Sequence, residues 1–141
     1  TYYTAGDITV LGGIIEFDYD VDYSAVAMIG AGYLSACGDI NIYGGYIKIG
    51  DVSWGVGIGA YCGTCGDINI YGGDVEIAAV SWNNGIGATD YGTCGNINIC
   101  GGEIMIGAVG YTAIGASDNA KCGNITVSDG YIESDCTWEK L

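Results

Sequence analysis

Two residue types in this chain can do chemistry beyond packing: cysteine, present seven times, and carboxylate, present 17 times. There is no histidine, so the Ser–His and Cys–His nucleophile schemes lack their base. Acidic residues are plentiful, but nothing singles out a pair placed for glycoside hydrolysis. The reading is therefore of a protein that is not an enzyme. Its cysteines cross-link, and its carboxylates solvate the surface or hold cations. Cys37, Cys65, Cys94 and Cys122 recur at intervals of 28, 29 and 28 residues. Equivalent positions on adjacent stacked strands have Cα atoms about 4.8 Å apart. That falls inside the disulfide range of roughly 4.4–6.8 Å. The spacing predicts staples between neighbours, for example Cys37 to Cys65 and Cys94 to Cys122, against the alternative of a reduced ladder of buried thiols. Cys62 is a further disulfide candidate. It forms a C-x-x-C with Cys65, but no second pair and no histidine accompany it, which disfavours structural zinc. The odd count leaves one cysteine for an intermolecular bond, with Cys136 first and Cys100 second. Oxidised cysteines imply an extracellular location.

The carboxylates Glu16, Asp18, Asp20 and Asp22 alternate with apolar residues and fall on one face of a strand. Calcium is the cofactor such a strip would take, since hard cations choose carboxylate oxygens. Same-face residues lie roughly 6.6–7 Å apart, however, which suits a solvated acidic face better than one compact site. Trp54, Trp82 and Tyr111 fall at equivalent places and predict an aromatic row, either a sugar platform or a subunit interface. Packing within a corner is the plain alternative. Asn124-Ile125-Thr126 is an N-glycosylation sequon inside a predicted strand.

What positions these residues is a repeat. Cys65-Gly66-Asp67-Ile68-Asn69-Ile70-Tyr71-Gly72-Gly73 has near copies beginning at Cys37 and Cys94, a truncated copy at Cys122 and a divergent one at Ala5. Each full copy closes on a similar segment, as in Gly57-Ile58-Gly59-Ala60. Within a copy the apolar residues alternate, which is strand periodicity. Self-similarity at this period marks a solenoid. The predicted fold is all-β, a parallel β-helix with three short strands and three corners per coil. Four full coils of 28–32 residues span 5–36, 37–64, 65–93 and 94–121, followed by a partial coil 122–133. An N-terminal arm 1–4 and a tail 134–141 complete a single β-solenoid domain over 1–141. An antiparallel sandwich is the alternative, but its strands rarely repeat in sequence at a constant interval. Stacking predicts an Asn ladder at Asn41, Asn69 and Asn98. It also predicts an Asp/Asn ladder at Asp7, Asp39, Asp67, Asn96 and Asn124, which must face water or bind cations to relieve like-charge repulsion.

Composition narrows the partners. Of 141 residues, 27 are Gly and none is Pro, and the net charge is −14. Such acidity argues against nucleic acid and against anionic lipid surfaces. No apolar run is long enough to insert into a membrane. The chain does not begin with Met, and the simplest expectation is a mature product whose leader was removed.

The motif Cys-Gly-[Asp/Asn]-Ile-[Asn/Thr]-[Ile/Val]-x-Gly-Gly, closing in Gly-Ile-Gly-Ala, resembles Gly-rich β-solenoid repeats of secreted or wall-associated prokaryotic surface proteins. In character the chain is also similar to subunits of prokaryotic extracellular filaments and archaeal sheaths. The resemblance implies a surface location and no activity. The tail and arm are short for caps, and uncapped parallel ends favour head-to-tail contact. The expected function is a structural subunit of an extracellular filament or sheath, a homopolymer stacked end to end and hardened by disulfides. The alternative is an adhesive or carbohydrate-binding module that takes a cell-surface glycan.

Overall fold

The computed structural model describes residues 3–17, 21–82, 84–117 and 119–135, with backbone alone for 21–25. It is a parallel β-solenoid. Among the described residues every strand pairing is parallel, and successive coils lie in register on one another except for one shift, between Val21 and Ala25 of the first coil. Among the described residues no helix is long and apolar enough to cross a membrane.

The first side is a five-stranded sheet in the order Ile125–Val127, Ile97–Ile99, Ile68–Ile70, Ile40–Ile42, Ile8–Val10. The Gly-Gly corner follows. Its second glycine has φ between 88° and 101° in every coil, a left-handed conformation that a side chain would strain. The second side stacks Ile14–Phe17, the start of Tyr46–Tyr61, Asp74–Val80, Glu103–Val109 and Tyr131–Ser134. The third stacks Val21–Ala31, the end of Tyr46–Tyr61, Asn84–Thr89 and Ile114–Ala116.

The expected corner between the second and third sides is not a break in every coil. In the second coil one strand runs through it, Tyr46–Tyr61, and joins the second and third sides into one sheet. Gly55 makes this possible. Its φ of 142° turns the chain without releasing its pairing, and a side chain there would overlap the Val26 carbonyl. Tyr3–Thr4 pairs in parallel with Ser35–Ala36. The same corner continues as single bridges from Ala36 through Thr64 and Thr93 to Lys121.

The core is the set of inward ladders. Ile40, Ile68 and Ile97 are fully buried on the first side, Ile47 and Ile104 on the second, and Ile58, Ile86 and Ile114 on the third. Each such side chain contributes roughly 1.5–3 kcal/mol by leaving water. Because a coil finds its apolar partners only in the coils next to it, the ladders also fix the register.

Candidate functional site

The outward ladders, the cysteines and the two ends are the candidate functional features of this solenoid. The Asn ladder forms as expected. Asn69 Nδ2 donates to Asn41 Oδ1 at 2.9 Å, and Asn98 Nδ2 donates to Asn69 Oδ1 at 2.8 Å.

The Asp/Asn ladder faces water, as one of its two expected outcomes, with Asp7, Asn96 and Asn124 exposed, and its side chains also bond to the next coil. The Asp39 N–H donates to Asp7 Oδ1 at 2.9 Å, Asp67 N–H to Asp39 Oδ1 at 2.8 Å, Asn96 N–H to Asp67 Oδ1 at 2.7 Å, and Asn124 N–H to Asn96 Oδ1 at 2.9 Å. Each side chain therefore satisfies a backbone donor in the next coil, and most of these bonds are charge-assisted. The arrangement explains the glycine before each one. A Cβ on Gly38, Gly66, Gly95 or Gly123 would overlap the Oδ1 of Asp7, Asp39, Asp67 or Asn96. The sequence showed the Asp column but not this acceptor role. The signal for it was the invariable Gly immediately before each Asp or Asn of the four later copies.

The cysteines divide. Cys94 and Cys122 form a disulfide across neighbouring coils, with a Cα–Cα distance of 4.6 Å. Cys37 and Cys65 occupy the same column one coil apart but are buried free thiols, which corrects the expected second staple. Burial pushes the Cys65 thiol up to about 12, with Cys37, Asp39 and Asp67 adding to it. Burial, then Asp39 and Asp7, also raises Cys37. The thiolate that disulfide exchange requires is therefore scarce at both. Cys62 is not in a disulfide either. It sits in a left-handed turn (φ 48°) where the adjacent coils place Leu34 and Asp90, and its thiol donates to the Asp90 carbonyl at 2.8 Å. Cys100 is free and exposed, as an outward thiol should be. Cys136 lies outside the described residues.

Of the acidic strip, Glu16 is exposed and in register with Lys48, which is in register with Glu76. Asp18, Asp20 and the Asp22 side chain lie outside the described residues. Among the described residues no three Cys, Asp or Glu groups gather as a metal site. The aromatic row is partly assembled. Trp54 and Trp82 have ring centroids 6.0 Å apart, tilted by 32°, and Tyr111 is exposed in the next coil. A second aromatic pair stands at another corner, Tyr43 on Tyr71, stacked at 4.8 Å and 14°. Its signal was the repeated Ile-Tyr-Gly-Gly. Asn124, the sequon residue, is exposed on the last coil.

The ends mirror one another. Ile8–Val10 and Ile125–Val127 are the two edges of the first sheet, and no described strand covers either. The inward ladders come to the surface there. Ile8 and Ile15 are half-buried at one end, and Ile125 and Ile132 at the other, whereas their counterparts Ile40 and Ile47 are fully buried. No family model, curated protein or solved structure matches the chain.

Proposed function

We propose that the chain is the repeating subunit of an extracellular filament or sheath, assembled by stacking solenoids end to end. One observation carries this reading. The first and last coils present the same apolar positions and unpaired edges of the same sheets, so one end is built like the surface that the other end packs against everywhere inside the molecule. Parallel edges are templates for further strands, and a head-to-tail contact that does not close on itself propagates. The Cys94–Cys122 disulfide supports an oxidising compartment. In this role the protein performs no catalysis and its main partner is another copy of itself. The test is electron microscopy of the protein as isolated, with and without reductant. Filaments or tubes support the reading, and discrete particles of one chain at high concentration refute it.

A second reading, a glycan-binding or adhesive module, draws on Trp54 and Trp82, which are 45% and 54% exposed as a pair. Under it, Trp54→Ala with Trp82→Ala abolishes binding on a glycan array. Unchanged binding, or none by the unaltered protein, removes it.

A further inference from the structure

Gly6 stands where Gly38, Gly66, Gly95 and Gly123 stand in the later coils. Each of those four lies beneath an Asp or Asn oxygen of the preceding coil and cannot carry a Cβ. Gly6 meets nothing within 4 Å, and its backbone is not in the left-handed region. Gly12 is also clear, whereas its counterpart Gly72 would bring a Cβ to 2.9 Å from the Tyr43 carbonyl. Nothing among the described residues of a single chain requires glycine at position 6. At the opposite end Asn124 has the complementary property. Its N–H is bonded to Asn96, while its own side chain is exposed and its Oδ1 accepts no bond from the described residues.

Resting on the filament reading, we infer that the N-terminal face of one copy docks on the C-terminal face of another in strict coil register. The Asn124 side chain lies over Gly6 and accepts the Asp7 N–H, as Asp7 does for Gly38 and Asp39. The rest of the end face agrees with this register. Ile125 then continues onto Ile8, and Ile132 onto Ile15. Lys121, the last rung of the corner ladder, meets Thr4 of the next copy, which is the first. A glycan on Asn124 would fill the space of the docked copy, so the sequon is unoccupied in the assembled form.

The experiment compares the full-length protein with Gly6→Ala and Asn124→Ala by sedimentation and electron microscopy, with melting temperature as the control for folding. Gly6→Ala is expected to melt within about 2 °C of the unaltered protein. It should raise the concentration needed for assembly at least tenfold, because the added methyl meets the Asn124 oxygen. Asn124→Ala should raise it roughly fivefold, one lost hydrogen bond at about 1 kcal/mol. Thr9→Cys with Thr126→Cys should give 9–126 cross-links between chains, mapped by mass spectrometry, since the two exposed threonines would be neighbours in the stack. If Gly6→Ala assembles as readily as the unaltered protein, or filaments form without 9–126 cross-links, the register is wrong while the filament reading stands. If the unaltered protein never assembles, both fail.

Discussion

Single residues hold the coils together by one recurring bond. The Gly before each Asp or Asn of the later coils lets the preceding coil's side chain reach the next coil's N–H, and a Cβ there would overlap that side chain. Gly66→Ala should therefore cost about 2–4 kcal/mol, read as a lowered denaturation midpoint, because the clash is with Asp39 Oδ1 and with backbone. A midpoint equal to that of the unaltered protein would remove the assigned role. The thiols give a second test at this scale. An unfolded chain loses thiol protons near pH 8.5, whereas burial holds the Cys65 proton until about 12. Tyr61, pushed up to about 12 mainly by burial and by Asp90, behaves alike above its ordinary value near 10. Between those limits the folded chain binds more protons than the unfolded one. Stability is thus intact below about pH 8.5 and falls as pH rises toward 12. Alkylation at neutral pH should label exposed Cys100 first and Cys65 last. Equal rates would contradict the buried, protonated state of Cys65.

At the scale of the element, a strand here earns its place only by lying on its copy. Ile68–Ile70 is three residues long and could not persist alone, yet it is buried throughout between Ile40–Ile42 and Ile97–Ile99. That is why the fold was legible before any coordinates. Alternation fixed the strands, and a period of 28 or 29 residues fixed which strand lay on which. Less was legible where a residue's role depends on the coil beside it. The Asp column read as repulsion because the backbone N–H that relieves it belongs to another repeat. Cys37 and Cys65 have the spacing of Cys94 and Cys122, and Cys94 is as buried as they are, so nothing in the structure explains why one pair is joined and the other is not. The continuous strand Tyr46–Tyr61 was hidden because a corner made by Gly55 keeps its hydrogen bonds. The disulfide joins the last two coils, one of which has a neighbour on one side only. Cys94→Ser with Cys122→Ser should lower stability by about 2–4 kcal/mol in calorimetry, with earlier exchange of the amides of Tyr131–Ser134. Unchanged exchange there would mean that the staple does not hold the final coil.

For the whole molecule, the question is what meets the first and last described coils. A solenoid usually hides its end coils under polar caps. Here half-buried isoleucines and unpaired strand edges of the same two sheets face outward at both ends, among the described residues. Lateral association has its own materials: the stacked Tyr43 and Tyr71, the exposed Cys100 beside them in the next coil, and the Trp54–Trp82 pair. The net charge of −14 opposes indiscriminate aggregation, and the contact proposed above is the specific docking of the ends. Five strand levels per chain at about 4.8 Å give a subunit rise of about 24 Å along the stack. The deciding measurement is cryo-electron microscopy of the native assembly, with the axial rise read from its layer lines. End-to-end stacking predicts filaments or tubes with a repeat of about 4.8 Å along the axis and a subunit rise of about 24 Å. Monodisperse single chains, or strands running across the filament axis at an unrelated rise, would contradict it.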